Sequence, residues 1–235
     1  MSTLETDLIQ ASTGSNTALK LKGKGTGVVK IGDGELSFPD ADGSANQVLK
    51  TNGSGALSFT TPASGGAWTL INSSTASGSP STLTVTGMDT TYRTYCLRMT
   101  NVQPATDNVS GRIRIGDSGG IKSDSLYYFN NGKVASNTTG YDAAAGSGSD
   151  HMLLTDYIGN ATGEIGSATI FIGRTGNSVS FDGNVAFGHT SAGSVGGWVS
   201  GIYRVSSFAL TQVQFYYNSG NITSATMDLW GISHA

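Results

Sequence analysis

Three histidines, His151, His189 and His234, are the side chains best suited to moving a proton near neutral pH. They lie far apart in the chain, and none stands at the spacing of a metal-ligand pair. Asp150-His151 is the one adjacent acid–imidazole pair, readable as a catalytic dyad or as a hydrogen bond within a loop. His189, in Phe187-Gly188-His189-Thr190, reads as a strand-end histidine, with metal binding as the alternative. Asp40-Ala41-Asp42-Gly43 carries a fragment of an oxygen-rich calcium loop. Residues 44–51 supply no acid to complete it, so it reads as a turn. Ser147 sits between Gly146 and Gly148 without the strand–elbow–helix setting of a nucleophile. The 16 acids match no glycosidase motif, although the distance between two carboxylates is a tertiary fact. The expectation is a protein that is not an enzyme, with no catalytic residue, no cofactor and no metal within one chain. Three copies of one histidine meeting on a symmetry axis stay open.

Binding is the chemistry left. Tyr127, Tyr128, Tyr141 and Trp198 are the candidate contacts to a glycan, with Tyr203 beside them. An exposed aromatic face offers apolar area on which a sugar ring can stack. The alternative for each is that it fills a core.

The elements that must position these residues are strands. Gly contributes 34 of 235 residues, about twice its ordinary share of roughly 7%, and charged residues are 12% where about 25% is usual. Ser, Thr and Asn fill the gap, and with Gly they are poor helix formers. Hydrophobic residues at 37% and a net charge of −3 do not describe a disordered chain. The same charge, without a Lys/Arg cluster, argues against nucleic acid. Lys20, Lys22 and Lys24 alternate with small or apolar residues and read as one solvated strand face, with a nucleic-acid contact as the alternative. The single Cys96 allows no intrachain disulfide. Met1-Ser2-Thr3-Leu4-Glu5 has neither the basic nor the apolar region of a signal peptide, and no apolar run approaches a membrane span of about 20 residues.

Along the chain, residues 1–35 hold two short phrases, Ala18–Gly23 and Gly27–Gly32, separated by glycine-rich turns. Residues 36–66 carry Gln47-Val48-Leu49 and Ala56-Leu57-Ser58-Phe59, bounded by Asp42-Gly43 and by Asn52-Gly53-Ser54-Gly55. Such turns favour positive φ, so the stretch reads as a tight hairpin collar. One hairpin is marginal in water and needs copies or a neighbour. Thr60 to Gly66, with Pro62, Gly65 and Gly66, marks a linker. Residues 67–235 form the head, with strand phrases at Trp68–Ile71, Leu83–Thr86, Tyr92–Met99, Arg112–Ile115, Ser125–Phe129, Ala168–Ile172, Val179–Phe187, Trp198–Val205, Leu210–Tyr217 and Met227–Ile232. About ten short strands between turn residues predict an all-β fold, an antiparallel β-sandwich or barrel, with a jelly roll the choice among sandwiches. Tyr141 to Met152, rich in Ala, Gly and Ser, is expected to be a long loop or one short helical turn.

The collar order of Phe38, Pro39, Asp42, Gly43, Gln47, Val48, Leu49, Thr51, Gly53, Gly55, Leu57 and Phe59 resembles the shaft-to-head element of bacteriophage tail fibres and related virion appendages. The phrase Leu19-x-Leu21, Gly25-Thr26-Gly27, Val29-x-Ile31 is similar to one of their shaft repeats. The opening Trp68-x-Leu70-Ile71-x-Ser73-Ser74-Thr75 and the close Met227-x-Leu229-Trp230-Gly231-Ile232 look like the two ends of a virion head domain, with Trp230 where that family usually has Tyr. Residues 115–165 have no such likeness and are expected to hold variable binding loops.

The resemblance implies a short intertwined shaft, a homotrimer and attachment to other virion proteins through residues 1–35. It implies a tail fibre or spike that adsorbs to a host-surface glycan, made in a bacterial cytoplasm and carried in the virion. A capsid decoration or head fibre protein is the first alternative. A stand-alone, lectin-like carbohydrate-binding module is the second. Nucleic-acid binding and membrane insertion are not expected.

Overall fold

The computed structural model describes residues 30–31, 36–39, 41–62, 67–136, 141–175, 178–189 and 193–233. The chain divides into two compact units, Met1–Ser64 and Gly65–Ala235. Most of the expected shaft and attachment segment, together with Asp40 and His234, lies outside the described residues.

In the first unit, β1 (Lys30–Ile31) pairs antiparallel with β2 (Leu36–Ser37), and β3 (Val48–Thr51) with β4 (Leu57–Thr60). The turn between β3 and β4 spans residues 52–56, with Gly53 and Gly55 at φ 76° and 82°. Asn52 Oδ1 accepts the amides of Ser54 (2.8 Å) and Ala56 (3.0 Å), satisfying backbone donors that the ladder leaves over. Ser37 makes a parallel bridge to Ala56 and donates its amide to the Gly55 carbonyl at 2.7 Å, which ties β2 to the hairpin. Leu49 faces Phe59 across the ladder, yet both stay exposed, at 42% and 37%.

The second unit holds β5 (Trp68–Thr75), β6 (Thr82–Thr86), β7 (Thr94–Pro104), β8 (Val109–Asp117), β9 (Gly120–Ile121), β10 (Tyr127–Ala135), β11 (Tyr141–Ser149), β12 (Met152–Ile158), β13 (Gly166–Thr175), β14 (Ser178–His189), β15 (Gly193–Tyr203), β16 (Gln212–Tyr217) and β17 (Ile222–Ile232). All their pairings are antiparallel, and no helix occurs among the described residues. A wide face runs β5-β17-β7-β13-β14-β15-β10-β11, and a narrow face runs β12-β8-β16-β6. The two meet where Ile158 of β12 pairs with His189 of β14. At the other side β5 and β6 approach each other, with Asn72 Nδ2 donating to Thr86 Oγ1 at 3.5 Å. The result is a nearly barrel-shaped, jelly-roll-like sandwich of 13 strands.

Alternation along each strand builds the core. On β17 Ala225, Met227 and Leu229 point inward; on β8 Ile113 and Ile115; on β16 Val213 and Phe215, all with almost no exposure. Each of these side chains larger than alanine contributes roughly 1.5–3 kcal/mol of burial. Their polar neighbours, Thr226 and Asp228, Arg112 and Arg114, Gln212 and Gln214, therefore fall on the outer faces.

The stretch from Tyr141 to Met152 is not a loop or a helical turn. Tyr141–Ser149 is β11, paired with β10 from Val134↔Tyr141 to Tyr127↔Ser149. Its small side chains have no hydrophobic period of their own. Gly146 is required where it stands, since a Cβ there would lie 2.3 Å from the Phe129 ring. The expected loops of residues 115–165 are largely β10, β11 and β12.

Candidate functional site: the outer face of the wide sheet

β5 is an edge strand, and its Trp68 and Leu70 project outward at 46% and 49% exposure. Registers across β17, β7 and β13 set Leu70, Trp230, Cys96 and Phe171 in one row. Asp228, Arg98 and Thr169 form the next. The Trp68 and Phe171 rings meet edge to face, 6.0 Å between centroids. Trp68, Trp230, Cys96, Arg98 and Thr169 line a hollow of about 260 Å³, its surface mostly apolar. Beyond Phe171 a second hollow of about 490 Å³ is lined by Arg93, Thr94, Gly173, Arg174, Ser180 and Asp182. The first lies below the roughly 300–1,000 Å³ of typical small-molecule sites and suits one ring-sized group. Indole faces can stack on the C–H face of a sugar, while the Arg98 guanidinium and Thr169 hydroxyl can bond its hydroxyls. Burial pushes the Cys96 thiol up, against a weaker pull from the Arg98 charge, so this thiol at the floor is protonated and inert near neutral pH.

The expected aromatic contacts do not converge. Tyr127 is wholly buried: its hydroxyl accepts the Ile115 amide at 2.9 Å and donates to the Lys122 carbonyl at 3.1 Å. It is a core residue, not a surface contact, because β10 turns it inward against Tyr203, 4.8 Å between centroids. Tyr203 is also buried and donates its hydroxyl to Asp124 Oδ2 at 2.8 Å. Tyr128, one residue on, takes the outer face with the Arg204 guanidinium 5.0 Å from its ring centre. Trp198 is 41% exposed in the Arg98–Thr169 row, two strands beyond Thr169. Tyr141 opens β11 by its backbone, and its side chain lies outside the described residues. Trp68 and Trp230, which line the hollow, are not among the aromatic contacts expected from the sequence. Trp230 is nonetheless legible as an outer-face residue, since on β17 the apolar phase is Ala225, Met227, Leu229 and Trp230 stands on the polar phase.

Asp150 and His151 form a real hydrogen bond, Oδ1 to Nδ1 at 2.6 Å. Ser149 Oγ approaches the same Nδ1 at 3.4 Å. A serine–histidine–acid relay needs hydroxyl and carboxylate on opposite ring nitrogens, so these consecutive residues do not form one. Asp150 is instead held by Arg114, which bonds its Oδ2 through Nη2 and its carbonyl through Nε at 2.9 Å. His189 lies 5.8 Å from the Tyr157 ring. Among the described residues no group of three or more His, Cys, Asp and Glu is placed to hold a metal ion.

Comparison with protein-family models, with curated proteins and with solved structures finds no match for this chain.

Proposed function

We propose that the chain is a bacteriophage virion protein, a short homotrimeric tail fibre or spike whose head adsorbs to host-surface glycan without catalysing a reaction. The observation that carries the trimer is the β3–β4 hairpin, which leaves Val48, Leu49 and Phe59 exposed at 49%, 42% and 37%. A two-stranded hairpin is marginal alone, and exposed apolar side chains in a chain otherwise rich in Ser, Thr and Asn call for a partner. Two further copies of the same segment supply one, in the manner of the appendages this segment resembles. Closed symmetry makes the partner surface self-supplied. Residues 1–35 then attach the trimer to other virion proteins.

Light scattering tests the reading. The chain is 24.1 kDa, so a trimer weighs three times that, 72.3 kDa. The expected result is 72.3 kDa for the whole chain and a smaller assembly once residues 1–62 are removed. A folded 24.1 kDa monomer of the whole chain refutes it. Gold labelling on the tail, and not on the head shell, separates a tail fibre from a capsid decoration protein.

The hollow between Trp68 and Trp230 favours a second reading, a lectin-like module. A chain starting at Trp68 that stays monomeric and binds glycan as tightly as the whole protein supports that reading over the first.

A further inference from the structure

The outer face of the narrow sheet is built unlike the wide one. Thr82, Thr84 and Thr86 of β6, Gln212, Gln214 and Tyr216 of β16, and Arg112 and Arg114 of β8 stand in register across it. Nearly all of these groups are uncharged hydrogen bonders. Gln214 Nε2 donates to Thr84 Oγ1 at 3.3 Å, and Gln212 Nε2 to the Asp117 carbonyl at 2.9 Å.

Among the described residues, the charges around the face are paired except for one. Arg114 is paired with Asp150, and its guanidinium also lies 4.6 Å from the centre of the Tyr216 ring. Lys122 is paired with Asp117 at 2.8 Å. His151 is held neutral near pH 7, because burial first, and then Arg112 and Arg114, outweigh the pull of Asp150. Arg112 makes no ion pair among the described residues. It stands between Tyr216 on β16 and Leu153 on β12, neither of them charged. Its Nε and the Tyr216 hydroxyl are both buried without a hydrogen bond of normal geometry.

We infer that this face binds an acidic saccharide, with Arg112 taking the carboxylate of a uronate ring and Gln214, Thr84 and Thr82 taking ring hydroxyls. One free cation among many neutral donors and acceptors matches a ligand with one anionic group among several hydroxyls. Nucleic acid is a poorer match, because a phosphate track needs several cations and the chain carries −3 overall. A guanidinium fork binds a carboxylate through two parallel hydrogen bonds, which a lysine cannot reproduce. The site is separate from the Trp68–Trp230 hollow, with which it shares no residue.

The test is titration calorimetry on the whole chain with tetramannuronate and, as its uncharged counterpart, mannotetraose. Tetramannuronate is expected to bind at least tenfold more tightly than mannotetraose. Arg112→Gln is expected to lower its affinity about tenfold or more, the scale of losing one charge-assisted pair. Arg112→Lys keeps the charge and the fold and is expected to recover part of the loss. Trp68→Ala is expected to leave tetramannuronate binding unchanged. Equal binding of the two sugars, no binding of either, or full tetramannuronate affinity in both Arg112 variants overturns the inference.

Discussion

Replacing Lys133 by Met is expected to destabilise the second unit sharply, although Lys133 lines neither the Trp68–Trp230 hollow nor the Arg112 face. β10 points this side chain inward, and it is only 10% exposed. Its ammonium pairs with Asp156 of β12 and with Asp142 of β11 at 3.2 Å, and it lies 4.9 Å from the centre of the Tyr157 ring. The pairs tie the end of the wide sheet to β12 of the narrow one. Methionine fills similar volume but strands two carboxylates beside each other. Removing one partner of a buried pair costs about 3–5 kcal/mol. Asp142 is 65% exposed and rehydrates, which puts the expected cost near the low end, about 3 kcal/mol. At about 2–4 °C per kcal/mol for a unit of this size, the melting temperature falls by roughly 6–12 °C. Thermal melts followed by circular dichroism at pH 7 read this directly. Adding Asp156→Asn is expected to return more than half of the loss, because the carboxylate left beside the methionine is then the one already in water. A Lys133→Met melt within about 2 °C of wild type, or a double variant worse than the single one, refutes the assignment of this ammonium as the tie.

Gly183→Ala should destabilise by about 1–3 kcal/mol in a denaturant titration. Its Cβ would sit 2.2 Å from the Thr169 carbonyl oxygen of β13, backbone that cannot step aside; an unchanged midpoint contradicts that packing. Stability should also fall on acidification. Burial, with Arg112 and Arg114, depresses His151 in the folded chain, so the unfolded chain takes up its proton first, and stability drops as pH falls below about 6.5. Burial raises the Asp150 carboxyl, but hydrogen bonds from His151 and Arg114 outweigh it and hold the pKa below 3.8, so its contribution is lost at still lower pH. Melting temperatures from pH 7.5 to 5 check this, and His151→Gln should flatten the upper part of the slope. Cys96, 1% exposed, should be unreactive toward a disulfide reagent until Trp68→Ala uncovers it and raises the rate at least tenfold; a wild-type thiol as fast as free cysteine shows that the floor is open.

Much of the fold is legible in the chain itself, because the cause is local. Glycine and Asn at turn positions, with Leu83-x-Val85, Ile113-x-Ile115 and Val213-x-Phe215 at period two, determine antiparallel strands and the β3–β4 hairpin without any long-range information. β11 is the exception that shows why. Ala143 to Gly148 carries no hydrophobic alternation, and only the neighbouring β10 makes it a strand. The same alternation says that Tyr127 and Tyr128 take opposite faces, but not which one goes inside; that depends on which face of β10 meets the narrow sheet.

The candidate sites depend on register between distant strands. Trp68 and Trp230 lie at opposite ends of the second unit's sequence and share a hollow because β5 pairs with β17. Arg112 has no ion pair among the described residues because Asp150 falls beside Arg114, and Lys133 is buried where β12 brings Asp156 to it. Local propensity is set by each residue and its neighbours. Which side chains share a face, and which charges find partners, is set by backbone hydrogen bonds between segments whose separation along the chain carries no signal of their meeting.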